Sequence, residues 1–123
     1  MPDKTYPATE AQRASGDWNP FWTTMEELDP DYLEAFLQFR SVPANGPLPQ
    51  KTKELIFIAI NVATTHLWSS GARRHMQNAL EAGATKEEIL EVIQLTSIMG
   101  IHSMTMGVPI LMEEVEKFKA GEG

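Results

Sequence analysis

The stretch from Gln50 to His66 constrains this chain more than any other part of it. It runs through Leu55-Ile56-Phe57-Ile58-Ala59-Ile60 and on to Val62 and Ala63, so apolar side chains surround a helical repeat on every side. A helix without a water-facing stripe has to be the central, buried element of a fold. The β-branched content of residues 56–65 is a weaker signal for a strand and is offset by the length of the run. Glu54, Asn61 and Thr65 are its polar exceptions, and steps of seven and four put them on one helical face. Polar groups on a buried helix need partners or water. A carboxylate at Glu54 also lies in the first turn, where it favours the helix dipole.

Helix signals surround this element. Asn19-Pro20 and Asp29-Pro30 each pair an N-cap residue with proline at the first helical position, which predicts helices over 20–28 and 30–41. Leu33, Phe36, Leu37 and Arg40 form a stripe at helical spacing, and the proline-rich segment 42–49 is a linker turn. Ser69-Ser70-Gly71 breaks the chain before a helix over 72–82, with Ala72, Met76, Ala79 and Leu80 as its core face and Gly83 as its stop. Thr85 and Glu88 form a capping box that starts a helix to about Met99, with Ile89, Val92, Ile93 and Thr96 inward. After Gly100, the residues Ile101, Met104, Val108, Leu111, Val115 and Phe118 alternate steps of three and four, a packing seam for the core or for a second subunit. Gly107 and Pro109 are expected to bend that helix. No strand pattern competes, so the fold class is all-α. Residues 1–17 are polar with Pro2, Pro7 and Gly16 and are expected to be a flexible arm, with a short helix over 9–15; residues 18–119 are expected to form a single domain.

The charge balance narrows the partners. A formal net charge of −7, with no basic cluster, repels phosphate backbones and argues against nucleic acid. Arg73-Arg74 is the only adjacent basic pair and reads as a solvated face or a small-anion contact. There is no unbroken apolar run of ~18 residues, so no membrane partner is expected. The first residues lack a basic segment followed by an apolar one, so the expected location is cytoplasmic.

The chemistry centres on histidine. All three histidines, His66, His75 and His102, lie within residues 66–102, each near an expected helix end. Imidazole exchanges protons near neutral pH without a special environment. If the three converge, they suit zinc or a similar divalent metal completed by water, although no His-x-x-x-His spacing is present. Acid–base catalysis without a cofactor needs less: one histidine, a carboxylate such as Glu54 to orient it, and a cavity that excludes water. Trp68 is a candidate pocket wall. Seven methionines give a deformable apolar lining but fall on core positions. Ser69 and Ser70 carry no mark of an activated nucleophile, and no glycine-rich phosphate loop is present. With no cysteine anywhere, thiol chemistry is excluded.

His75, Ala79, Gly83, the helix start Thr85-Lys86-Glu87-Glu88-Ile89 and the later Gly100, preceded by Glu54-Leu55-Ile56 in an apolar helix, together resemble the carboxymuconolactone decarboxylase family, which includes the alkyl hydroperoxidase D-like proteins. The likeness covers about residues 50–112. It implies an all-helical alkyl hydroperoxidase D-like bundle, assembly as trimers or hexamers, and an active site at the helix carrying His75. In the redox branch a Cys-x-x-Cys precedes that histidine; the matching positions here are Trp68 and Gly71, so thiol peroxidase activity is ruled out. In the decarboxylase branch the substrate is a carboxylated unsaturated lactone from aromatic breakdown. The segment Thr65-His66-Leu67-Trp68, with Gly100 and His102 before the last helix, is similar to a subgroup named decarboxylase-like by resemblance alone.

These readings combine into an expected cofactor-free lyase, a decarboxylase of a small organic acid. His75 would deliver a proton to carbon. His66 and His102 would hold the substrate carboxylate or enolate oxygen, and Glu54 would orient an imidazole. Trp68, Arg73 and Arg74 would contact the substrate. The alternatives are a metal-dependent enzyme or metal-binding protein using His66, His75 and His102, and a non-catalytic homo-oligomeric module.

Overall fold

A computed structural model of the chain describes residues 3–122. The described residues form seven helices and no strand: α1 (Pro7–Ala14), α2 (Pro20–Leu28), α3 (Pro30–Ala44), α4 (Gln50–Val62), α5 (Ser69–Glu81), α6 (Lys86–Ser97) and α7 (His102–Glu122). Their contacts divide the chain into two compact units, with the boundary along the sequence between Pro47 and Leu48.

The first unit holds α1 to α3. Asn19 Oδ1 accepts from the Phe21 N–H at 2.9 Å, and Asp29 Oδ1 accepts from the Tyr32 N–H at 3.1 Å, so both anticipated N-caps form ahead of their prolines. Leu33 and Leu37 are buried on α3, while Phe36 is exposed. The helix continues past Ser41 to Ala44 and takes Pro43 into its last turn.

The segment expected to be a loose arm contains α1, and α1 is tied down. Glu34, on α3, accepts hydrogen bonds from the Ala8 and Thr9 N–H groups and the Thr9 hydroxyl, each at 2.9 Å, and from the Gln38 amide at 2.9 Å. A carboxylate from a neighbouring helix thus satisfies the open N–H groups at the start of α1. Both Thr9 and Glu34 are buried by this contact. Sequence gave no sign of it, because Glu34 lies beside the apolar stripe of α3 and reads as a surface residue.

The second unit packs α4 against both α5 and α6. Its core is Ile58, Ala79, Ala84 and Ile89, with Leu55, Val62, Met76, Val92 and Ile93 packed against it. The apolar helix packs against both neighbours, but it is not enclosed on every side as expected: Ile56 and Ile60, one turn apart, are exposed. Two boundaries differ from expectation. Helix α4 stops at Val62, which leaves Thr65 outside the helix and exposed. Ser69 to Gly71 form the first turn of α5 instead of a break before it. Gly83, at φ +96°, closes α5 in a conformation that disfavours any side chain. The capping box then opens α6: the Glu88 N–H donates to Thr85 Oγ1 at 3.0 Å and the Thr85 N–H donates to Glu88 Oε1 at 2.9 Å.

Helix α7 is different. Most of its large apolar residues, including Met104, Val108, Leu111 and Phe118, are exposed, Val115 is half-buried, and Pro109 is accommodated inside it. The helical span 86–121 contains an 18-residue window of mean hydropathy 1.4, none of it buried. By length and composition alone it is able to cross a membrane, which the sequence did not lead one to expect. Polar Thr, Ser and Gly residues interrupt the apolar run without charging it.

Two stability outcomes follow. Ile58 is fully enclosed, so Ile58→Ala should cost about 3 kcal/mol in chemical denaturation. Burial works to raise the Glu34 carboxyl, but the Thr9 N–H, the Gln38 amide, the Ala8 N–H and the Thr9 hydroxyl together hold it below its ordinary 4.5. A depressed folded value means the contribution is complete above about pH 4.5 and is lost as pH falls through the folded value. Glu34→Gln should therefore destabilise by about 2 kcal/mol at pH 7 and show a smaller further loss on acidification below pH ~4.5, followed by circular dichroism melts. A variant with the wild-type acid profile would remove Glu34 from this role.

Candidate active site

Helices α4 and α5 bring together one of the expected combinations. Glu54 lies in the second turn of α4, since the helix starts at Gln50 and leaves it beyond the first turn where the dipole reading had put it. Glu54 and His75, at the middle of α5, lie on the facing sides of the two helices and are both buried. The His75 Nδ1–H donates to Glu54 Oε2 at 2.6 Å. An ionised carboxylate only accepts, so this bond fixes the proton on Nδ1 and leaves Nε2 as the atom able to take or give a proton. The second carboxylate oxygen, Oε1, accepts from the Gln50 amide at 2.7 Å. Phe57, one turn further along α4, stacks on the imidazole at 4.5 Å between centroids and 15° between planes.

Electrostatics keeps Glu54 ionised. Burial pushes the Glu54 carboxyl upward, but the His75 hydrogen bond and charge, and the Gln50 and Asn78 amides, outweigh it and hold the group below its ordinary 4.5. Glu54 is consequently a carboxylate throughout the neutral range, and it orients the ring. Sequence placed Glu54 and Asn61 on one face but offered the helix dipole as an equal explanation for Glu54; the bond to His75 supplies the second partner.

The other two histidines do not join this pair. His66 is exposed in the turn after α4, edge-on to the Trp68 ring at 6.1 Å. His102 is exposed at the start of α7, with Nδ1 and the Thr105 hydroxyl 2.9 Å apart. Among the described residues no group of three His, Asp or Glu is placed to hold a metal ion. The expected convergence of three imidazoles within one chain is thus corrected: α4 ends before His66, and α7 leaves the core that holds His75. Within one chain the described residues do not bring together the three imidazoles that the zinc alternative calls for.

The candidate substrate contacts divide as well. Arg73 lines a pocket of about 560 Å³ with Asn61, Val62, Leu67, Met76 and Leu80. On α5 the pocket is lined by Ser69, Ala72, Arg73, Met76, Gln77 and Leu80, and Ala72 lies one turn before His75, ~60° from it around the helix. Glu54 and His75 do not line the pocket themselves but border it through Ala72, and Arg74, half-buried, is not among the lining residues. Trp68 is partly exposed, and its backbone N–H donates to the backbone carbonyl of Asn61 at 2.8 Å, anchoring the turn between α4 and α5.

That turn reveals a residue pair that sequence reasoning missed. Asn61 is buried, and its amide donates to the Phe57 carbonyl at 2.9 Å. Its Oδ1 faces the Gly71 Cα so closely that a Cβ there would lie 2.7 Å from it, and 3.0 Å from Trp68 Cε3. A glycine at 71 and an amide at 61 thus fill one space between them. The clue available in sequence was the buried polar Asn61 in an apolar helix, which had to have some partner. Gly71→Ala should destabilise by about 1–3 kcal/mol, since the bonded Asn61 cannot swing aside. Thermal melts in which Gly71→Ala matches the wild type would contradict this close approach.

Comparison with known proteins gives a consistent picture. The model of the Carboxymuconolactone decarboxylase family matches residues 30–102. A solved structure from Burkholderia xenovorans LB400, provisionally described as a gamma-carboxymuconolactone decarboxylase subunit, is similar to this chain with a TM-score of 0.79 and 36% identity. The similarity covers 94% of this chain and 49% of that one, so the chain spans about half the length of its structural neighbour. Among curated proteins none matches.

Proposed function

Because the chain belongs to the carboxymuconolactone decarboxylase family, we propose that it is a decarboxylase-like lyase in which the Glu54–His75 pair handles the proton. The buried 2.6 Å bond between these side chains is the observation that supports this most. Decarboxylation of an unsaturated lactone acid breaks the bond between carbon and carboxylate. The electron pair passes into the conjugated lactone carbonyl as carbon dioxide leaves, giving an enolate. Protonated His75 then delivers a proton from Nε2 to carbon, and solvent restores it. One proton is consumed for each carbon dioxide released.

Each residue of the pair has a definite part. Glu54 holds the imidazole in one tautomer and one orientation, as a carboxylate does beside a catalytic histidine. Gln50 occupies the other carboxylate oxygen and keeps Glu54 from turning away. His66 and His102 are left out of this mechanism. A homo-oligomer goes with it: α7 presents an uncovered apolar surface, and such surfaces mark interfaces in proteins that do not aggregate.

Release of carbon dioxide from a carboxymuconolactone tests the reading. His75→Ala and Glu54→Gln should each lower kcat by about 100-fold or more, while His66→Ala and His102→Ala stay within a few-fold of wild type. Equal activity in His75→Ala and wild type would overturn the mechanism. A loss in His66→Ala as deep as in His75→Ala would return that residue to it.

A further inference from the structure

The turn between α4 and α5 holds one residue in a conformation that its type disfavours. Leu67 has φ +46°, the only positive φ at a non-glycine position among the described residues. A Cβ crowds the backbone there, and glycine avoids the conflict. Main-chain bonds impose the conformation. The Leu67 N–H donates to the Ala63 carbonyl at 2.8 Å, and the next N–H, that of Trp68, donates to the Asn61 carbonyl at 2.8 Å. A helical turn that ends in this way ordinarily ends on glycine. Core packing does not account for a leucine instead, because Leu67 is 69% exposed. Residues kept in such a conformation cluster where ligands are held.

Leu67 is a wall of the pocket of about 560 Å³ beside α5, with Val62 and Met76 among its apolar neighbours there. The charged lining of that pocket runs against the rest of the chain. The sequence has 17 acidic and 10 basic residues, yet the pocket is lined by one arginine and no carboxylate. Arg73 is exposed, and among the described residues none pairs with its guanidinium. Asn61 adds a second open group. It is only 5% exposed and lines the pocket, its amide donates to the Phe57 carbonyl, and no donor among the described residues reaches its Oδ1. Apolar walls with a few convergent polar groups, in a space of this volume, are the make-up of a small-molecule site. The unpaired cation gives the charge of the molecule, and the walls give its body.

We propose that this pocket binds a small organic acid whose carboxylate is carried on an apolar ring, that Arg73 holds the carboxylate, and that Leu67 is kept left-handed because its side chain covers the ring. A guanidinium presents paired N–H donors that match the two oxygens of a carboxylate. Asn61 Oδ1 accepts from a hydroxyl where the acid carries one and discriminates against acids that bring a second acceptor to that place. Leu67 sets the size of ring that fits, since glycine would relieve the backbone and open that wall. The pocket borders His75 through Ala72. The assignment therefore deepens the reading above by naming where the acid is held. It rests on that reading for its connection with the Glu54–His75 pair, and on the pocket itself for binding.

Naphthoate is the probe, an anion on an apolar ring, and naphthylmethanol is its uncharged counterpart. Binding is followed by nuclear magnetic resonance of the protein labelled at its methionine methyl groups. Met76 lines the pocket, whereas Met104, Met106 and Met112 are exposed on α7, so the spectrum separates entry into the pocket from adhesion to any apolar surface. The expected result is a saturable shift of the Met76 signal with naphthoate. Naphthylmethanol should bind about tenfold or more weakly, and Arg73→Gln should raise the Kd for naphthoate by about tenfold or more, with Arg73→Lys recovering part of the loss. Leu67→Gly should weaken naphthoate about fivefold while the Tm holds or rises, because the backbone conflict is gone. Shifts confined to the α7 methionines, or equal affinity in Arg73→Gln and wild type, would overturn the proposal. A lowered Tm or an unchanged affinity in Leu67→Gly would overturn the part given to Leu67. Carbon dioxide release keeps the two readings apart. Charge-dependent binding at Met76 together with full turnover in His75→Ala defeats the proton-transfer reading and leaves the site standing. Lost turnover in His75→Ala with a wild-type KM in Arg73→Gln does the reverse.

Discussion

The hydrogen bond from His75 to Glu54 joins the two helices on which the second unit is built. It links α4, which carries the core residue Ile58, to α5, which carries Ala79, and both of those residues are enclosed completely. Ala79 is one turn beyond His75, and its small side chain lets the helices approach closely enough for a 2.6 Å bond to span them. A carboxylate buried without this partner would carry a large desolvation penalty. The pair therefore has two physical consequences at once. It specifies how α4 and α5 face each other, and it fixes which nitrogen of the ring is available for chemistry.

The surroundings of the pair follow from the same packing. Gln50 and Phe57 lie about one turn to either side of Glu54 on α4, one bonded to the carboxylate and one stacked on the imidazole. At the far end of α4, Asn61 and Gly71 close the turn into α5 by sharing a space that no side chain at 71 could enter.

Much of the helix layout was legible in the sequence because local rules determine it. The Asn19 and Asp29 caps, the Thr85 capping box and the Gly83 stop are short-range signals, and each forms at the expected place. The packing of α4 against both α5 and α6 followed from its lack of a polar stripe, but the exposure of Ile56 and Ile60 did not. What sequence could not give were contacts between distant residues. Glu34 reads as a surface residue until α1 arrives to use it. The three histidines were close in sequence, yet α4 ends at Val62 and α7 leaves the core, so proximity along the chain did not become proximity in space. Only the partnership of Glu54 with His75 survived from that group, and it did so because both sit on helices that must pack. The seam of α7 was recognisable from its spacing, but not the degree to which its own chain leaves it uncovered.

The most direct test of the central claim is the protonation pattern of the His75 ring, observed by long-range proton–nitrogen correlation in the ¹⁵N-labelled protein at a pH where the ring is neutral. A proton bound to Nδ1, protected from solvent exchange and shifted downfield, with Nε2 bare, is the result that a buried bond to the Glu54 carboxylate requires. A ring with its proton on Nε2, or one whose Nδ1 proton exchanges as freely as those of His66 and His102, would contradict the account.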